Sequence, residues 1–135
     1  VTIKSMKNRL EGHSVLIVDD DPDILASFTI AMKAEGAATL EATDGTAAIA
    51  ACMAHSPDAM ILDMMLPKRS GFLVLEELQN LEDPPLVIMV TANEGKRHMA
   101  YAKSLGVGAY LMKPVGLDRL INTVSSLLQE SEHYE

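Results

Sequence analysis

Polar residues capable of phosphate or metal chemistry follow four short apolar runs of this sequence. Each run has the length of a buried strand and stops at its polar residue, which is typical of strands at the point where the chain leaves a sheet. Because the carboxyl ends of parallel strands meet at one edge of a sheet, we expect these side chains to converge there. They are Asp19 and Asp20, Asp63, Thr91 and Lys113.

The three carboxylates in this set indicate a bound cation. Carboxylates brought together repel one another, so at neutral pH either one holds a proton or a cation bridges them. Oxygen ligands favour a hard ion, and Mg²⁺ typically takes one or two carboxylates, several waters and a phosphate oxygen. The sequence has no Cys or His cluster of the kind that binds zinc. We therefore predict a magnesium site that includes Asp19, Asp20 and Asp63.

Asp63 is suited to act as a nucleophile toward phosphorus. An aspartate can accept a phosphoryl group to give an acyl phosphate, and the catalytic requirement is mainly positioning and charge neutralisation. A metal ion would neutralise one side of the group, and the ammonium of Lys113 the other. The hydroxyl of Thr91 is a natural donor to a phosphoryl oxygen that exists only after transfer.

Strand-like and helix-like segments alternate five times along the chain. We predict strands at 15–18, about 37–42, 59–62, 86–90 and 109–112. Each is followed by a predicted helix: after Asp21-Pro22 up to Gly36, after Asp44-Gly45, a short one containing Phe72 to Leu78, one near 94–105, and an amphipathic one from Leu117 to Leu128. This order predicts an α/β fold, a single doubly wound five-stranded parallel sheet with helices on both faces.

Composition limits the classes of protein that fit. The 135 residues are 48% hydrophobic and 22% charged, which is typical of one compact domain. A formal net charge of −8 argues against a nucleic-acid surface, and no apolar run is long enough for a membrane span. The one cysteine, Cys52, cannot form an internal disulfide, so we expect a cytoplasmic protein. Its predicted divisions are a mobile lead-in at 1–12, the domain at 13–130 and a short tail at 131–135.

These residues, in this order, resemble the receiver domain of two-component response regulators, including the chemotaxis regulators. The resemblance extends from about Ser14 to Gln129. One departure is Lys68, at a position where a glycine often follows the loop proline; another is Val115, where an aromatic residue is frequent. The matching segments are Val18-Asp19-Asp20, Leu62-Asp63-Met64 with Pro67 and Gly71, Val90-Thr91-Ala92, and Tyr110 through Lys113-Pro114.

The resemblance implies a fold, partners and a switch. The fold would be flavodoxin-like, (βα)5, with strand order 2-1-3-4-5. A sensor histidine kinase or a histidine phosphotransfer protein would phosphorylate Asp63, and the backbone carbonyl of Met65 would complete the metal shell. Thr91 and Tyr110 would then move and alter the face made by the fourth helix, fifth strand and fifth helix, through which the domain would control a partner protein or output domain, or form a homodimer. The chain would catalyse its own phosphorylation and dephosphorylation without acting on a separate metabolite.

Three other functions remain open at the level of sequence. A phosphohydrolase of the haloacid dehalogenase type also uses a strand-end aspartate with Mg²⁺, but it requires a second aspartate two positions later, where this chain has Met65. A flavodoxin-like cofactor binder would have its flavin phosphate repelled by Asp19, Asp20 and Asp21. A degenerate receiver that serves only as a scaffold is disfavoured by the complete set of acids, hydroxyl and lysine.

Overall fold

The computed structural model describes residues 8–92 and 95–133, and it contains five strands that alternate with five helices. The strands are β1 (Ser14–Val18), β2 (Ala38–Ala42), β3 (Ala59–Leu62), β4 (Leu86–Thr91) and β5 (Ala109–Met112). The helices are α1 (Pro22–Ala34), α2 (Gly45–His55), α3 (Gly71–Leu78), α4 (Lys96–Ser104) and α5 (Leu117–His133). The predicted alternation of strand and helix is confirmed.

The five strands form one parallel sheet in the order β2-β1-β3-β4-β5. Strand β1 therefore lies between β2 and β3, and the direction in which the chain winds changes at that point. This arrangement leaves a crevice outside the carboxyl ends of the central strands, the usual ligand position in such sheets. In the register of the central pair, Val18 lies opposite Leu62, so Asp19 and Asp63 leave the sheet side by side.

Alternate residues of the central strands face two separate cores. In β1, Val15 and Ile17 join the core under α1 and α5, while Leu16 and Val18 join the core under α2, α3 and α4. Strand β3 follows the same alternation and is buried along its whole length. A strand that is covered on both faces reads as a continuous apolar run, which explains why these strands could be recognised in the sequence.

Side-chain caps start the three helices nearest the carboxyl ends of β1, β2 and β3. Asp21 accepts hydrogen bonds from the amides of Asp23 and Ile24 at the start of α1. Asp44 accepts a hydrogen bond from the amide of Ala47 in α2, and Ser70 accepts one from the amide of Leu73 in α3. These bonds satisfy amides that have no partner within their own helix and so fix where each helix begins.

Residues 8–12 of the predicted lead-in lie against the domain. Leu10 is fully buried in the core under α1 and α5, and its amide donates to the carbonyl of Glu35 at 2.9 Å. The guanidinium of Arg9 donates to the Glu35 carboxylate and to Asn122 of α5. The remaining lead-in residues, 1–7, lie outside the described residues, as do Glu94 of the predicted fourth helix and the end of the predicted tail, and the domain boundaries stay a prediction.

Candidate functional site

Three of the predicted residues meet at the carboxyl ends of β1, β3 and β5. The Lys113 ammonium lies 2.8 Å from a carboxylate oxygen of Asp19 and 3.2 Å from one of Asp63. Both carboxylates are almost fully buried, with 3% and 7% of their side chains exposed. Buried charges are costly unless they are paired, so these contacts account for their tolerance inside the fold.

The pKa of Lys113 shows that its partners outweigh its burial. Burial lowers the pKa of an ammonium because it penalises the charged form. The hydrogen bond to Asp19 and the negative charges of Asp63 and Asp19 act in the opposite direction, and the net result is a raised pKa for Lys113. The lysine is therefore a permanent cation at neutral pH, held against the two carboxylates.

Asp20 adds a third carboxylate that faces solvent. One oxygen from each of Asp19, Asp20 and Asp63 lies within 4.8 Å of the others. Two of these acids are buried and Asp20 is exposed, which leaves the cluster open on one side. An oxygen-only set with an open side fits a hard divalent ion that keeps several waters. We call Asp19, Asp20, Asp63 and Lys113 the acidic site.

The chain after Asp63 folds back to orient its carboxylate. The amide of Met65 donates to the Asp63 carboxylate at 3.2 Å, while the other carboxylate oxygen faces Lys113. Residues 64–70, which we call the β3–α3 loop, are closed by a 2.8 Å bond from the amide of Gly71 to the carbonyl of Met64. A methyl group on Gly71 would lie 2.7 Å from the carbonyl oxygen of Asp63, so only glycine lets α3 begin this close to the site.

Thr91 ends β4 at the same edge of the sheet as the acidic site, and Tyr110 lies on the neighbouring strand β5, opposite Met89. Thr91 is fully buried at the end of β4, and its carbonyl accepts from the amide of Lys113 at 2.9 Å. Along β4, Val87 and Met89 face the core under α2, α3 and α4, and by strand alternation Thr91 falls on the same side. Tyr110 is half-buried, packs against that core, and has a pKa raised by burial.

Two features of the site were not recognised in the sequence as positioning elements. Lys68 has a φ of 66°, the left-handed conformation that favours glycine, and its ammonium lies 3.5 Å from the Asp44 carboxylate. Gly45, the first residue of α2, packs directly against Arg69 of the β3–α3 loop. The departure from glycine at Lys68 was visible in the sequence, whereas the contact at Gly45 required the tertiary structure.

The fold and the acidic site define a class of protein: a doubly wound α/β domain with a carboxylate and lysine cluster at the carboxyl ends of its strands. Comparison with known proteins is more specific. The family model for the response regulator receiver domain matches residues 15–125, so the chain belongs to that family. The general function of the family is that of a phosphorylation-activated switch, and its members typically bind Mg²⁺ through acidic residues.

Individual relatives agree with this assignment. The chain is similar to the probable transcriptional regulatory protein TcrX of Mycobacterium tuberculosis, with 34% identity over 91% of this chain and 53% of the relative. The chain is also similar to the Regulator of RpoS of Escherichia coli, with 34% identity over 93% of this chain and 38% of the relative. This chain thus spans about half or less of the length of these two relatives.

Solved structures of the family share the fold. A CheY-like response regulator receiver domain protein from Methanospirillum hungatei superposes with a TM-score of 0.87 and 28% identity, covering 91% of this chain and 98% of that one. The predicted α/β architecture, strand order and family are confirmed. The family assignment also sets aside the haloacid dehalogenase and flavin-binding alternatives. Across residues 8–92 and 95–133, every helix is too short or too polar to cross a membrane.

Proposed function

We propose that Asp63 is the phosphoacceptor of this receiver domain and that Asp19, Asp20, Asp63 and the backbone carbonyl of Met65 hold Mg²⁺. The observation that carries the proposal is the contact of Lys113 with both Asp19 and Asp63, in a cluster that Asp20 completes. Carboxylates exceed cations in this cluster, so a divalent ion would relieve their mutual repulsion.

In the proposed reaction, a carboxylate oxygen of Asp63 attacks the phosphorus atom of a phosphohistidine. The new bond joins that oxygen to phosphorus as the phosphorus–nitrogen bond breaks, and the histidine nitrogen keeps the electron pair. Lys113 stabilises the negative charge on the phosphoryl oxygens, and the Met65 amide holds the carboxylate in one orientation. Mg²⁺ held by Asp19, Asp20, Asp63 and the Met65 carbonyl would supply further charge neutralisation. Transfer and later hydrolysis would make the domain a catalyst of its own modification.

The switch would act through the residues on the α4 side of the sheet. Thr91 ends β4 beside the site and falls on the same face as Tyr110, so a phosphoryl group bonded by the Thr91 hydroxyl would favour a different packing of that face. The affected surface comprises α4, β5 and α5. A phosphoryl group can bias this equilibrium only by the difference in its contacts with the two packings.

The proposed partners follow from the family and from the lengths of the relatives. The donor would be a sensor histidine kinase or a histidine phosphotransfer protein, and the receiver of the signal a downstream protein, an output domain or a second copy bound through α4, β5 and α5. The two curated relatives carry regulatory names and extend well beyond the matched region. We propose a cytoplasmic setting, with no direct nucleic-acid contact by this domain, which would span 13–130.

The test is mass spectrometry of the intact chain and its peptides after incubation with acetyl phosphate and Mg²⁺. The expected result is one added phosphoryl group on the peptide containing Asp63, labile to hydroxylamine and lost in Asp63→Asn and without the metal. Asp83→Asn is the matched control, because Asp83 is an exposed loop carboxylate outside the acidic site. A native chain that neither accepts a phosphoryl group nor binds beryllofluoride would overturn the proposal in favour of a scaffold.

A further inference from the structure

The first residue of α2 lies unusually close to the β3–α3 loop. A methyl group on Gly45 would lie 2.2 Å from the carbonyl oxygen of Arg69 and 2.6 Å from its Cβ. Such distances require the backbone of one segment to move, because a carbonyl oxygen cannot rotate away as a flexible side chain can. Gly45 has no left-handed φ, so the space occupied by the loop, and not backbone conformation, explains the glycine here.

Further contacts hold the same two segments together. The amide of Gly45 donates to the carbonyl of Pro67 at 3.4 Å, and the Lys68 ammonium faces the Asp44 carboxylate at 3.5 Å. Asp44 is also the cap of α2, so its position is set by the helix. The pKa of Asp44 is lowered, first by the bond from the Ala47 amide and then by the charge of Lys68. The start of α2 thus presents a fixed surface to the loop.

A chain of short contacts leads from this surface to the acidic site. The amide of Arg69 donates to the carbonyl of Pro67 at 2.7 Å. The amide of Leu66 donates to the carbonyl of Met64 at 3.2 Å. Met64 is also bonded by Gly71, and the next amide, that of Met65, holds the Asp63 carboxylate. On the other side of the loop, Arg69 pairs with Glu77 of α3 at 2.6 Å. Residues 67–69 are therefore held on both sides. Any movement of these residues would be passed through the same bonds toward Asp63.

We propose that Gly45 is a positioning residue for the acidic site: by leaving space for Arg69, it lets the start of α2 support the β3–α3 loop and so fixes the orientation of Asp63. This role deepens the proposed function, on which it rests. Gly45 is not itself among the residues proposed to hold the metal or the phosphoryl group. Groups that orient metal ligands commonly affect affinity by about 10-fold to 100-fold when they are changed.

The decisive variant is Gly45→Ala, compared with Gly116→Ala. Gly116 has no left-handed φ and open space where a Cβ would lie, so it controls for the effect of alanine on the unfolded chain. For Gly45→Ala we expect Mg²⁺ binding, measured by calorimetry, and phosphorylation by acetyl phosphate to weaken by about tenfold. In the metal-free protein, the Met65 amide should exchange with solvent faster than in the native chain.

If the close fit of Gly45 mattered only for the packing of α2, Gly45→Ala would change the melting temperature but leave Mg²⁺ affinity and Met65 exchange unchanged. That result would overturn the proposal. A native chain that accepts no phosphoryl group would instead contradict the proposed function. The role of Gly45 could still be tested in that case, because amide exchange is measured without metal or phosphodonor.

A second pair of variants covers the case in which Gly45→Ala does not fold. Asp44→Asn keeps a capping side chain, because asparagine caps helices as well as aspartate does, but it removes the charge facing Lys68. Lys68→Gln removes the other charge. Each should weaken Mg²⁺ binding by about twofold, the size expected for an exposed ion pair, and the double variant should be no worse than either single one. Unchanged Mg²⁺ affinity and Met65 exchange in all three would overturn the proposal.

Discussion

Two groups of charged residues in this domain differ in their balance of charge. The acidic site combines three carboxylates with the single ammonium of Lys113. The other group joins the residues before β1 to α1 and α5: Arg9 donates to the Glu35 carboxylate at 2.9 Å and also to Asn122. Here one guanidinium meets one carboxylate.

The difference in charge balance indicates that the acidic site is suited to bind a cation, whereas the Arg9 group needs no further ligand. In the Arg9 group, each charge has an opposite charge within hydrogen-bond distance, so the contact stabilises the fold. In the acidic site, negative charge remains in excess of Lys113 and one carboxylate faces solvent, so a bound cation would stabilise the site further. Changes at the two groups should therefore affect different measurements.

The largest expected effect is that of Lys113→Met. Removing the ammonium leaves two buried carboxylates facing each other, and we expect the free energy of unfolding of the metal-free protein to fall by about 2 kcal/mol. Denaturant unfolding measures this, and added Mg²⁺ should restore part of the loss. Lys103→Met, on the exposed side of α4, is the control and should leave stability nearly unchanged. Equal stability of both variants would show that Lys113 does not balance the site.

Asp20→Asn should change ligand binding without a comparable change in stability. Asp20 is exposed, so the free energy of unfolding without metal should shift by less than about 0.5 kcal/mol. Mg²⁺ affinity should fall by at least about tenfold, equivalent to about 1.4 kcal/mol, because a charged ligand is lost. Calorimetric titration with Mg²⁺ is the measurement. If affinity is retained, the three carboxylates do not form one metal site.

Glu35→Gln should show the reverse pattern, a loss of stability with unchanged Mg²⁺ affinity. The hydrogen bond from Arg9 lowers the pKa of Glu35 below its usual 4.5 by more than burial raises it. A carboxylate with a lowered folded-state pKa contributes stability above the unfolded value, and this contribution is lost as pH falls through the folded value. We expect the variant to be less stable by about 1 kcal/mol at pH 7.

The pH dependence of this difference is the sharper measurement. The gap in unfolding free energy between the native chain and Glu35→Gln should be constant above about pH 5 and should shrink as pH falls below 4.5. Taking the difference between the two proteins cancels the titration of the other carboxylates. A gap that persists into strong acid would mean that Glu35 stabilises the fold by packing and not by its charge.

The parts of the fold and site that could be predicted share a physical origin. Strands covered on both faces, such as Ala59–Leu62, appear as uninterrupted apolar runs, and the caps Asp21 and Asp44 mark helix starts by local chemistry. Parallel strands place their carboxyl ends at one edge, so the convergence of Asp19, Asp63 and Lys113 could be inferred without coordinates. Helix α4 begins at Lys96 within the described residues and has no side-chain cap, so local chemistry marks its start less clearly.

The sequence by itself determined the order of elements, the family and the residues of the acidic site, because each depends on local pattern and on the direction of the strands. Only the tertiary structure decided which carboxylates are buried, that Leu10 belongs to the core, and that Gly45 lies against Arg69. These are contacts between segments distant along the chain, and their distances depend on how helices pack on the two faces of the sheet. Residue type and spacing do not encode such distances. The missing Cβ of Gly45, for example, matters only because the backbone of Arg69 occupies its place.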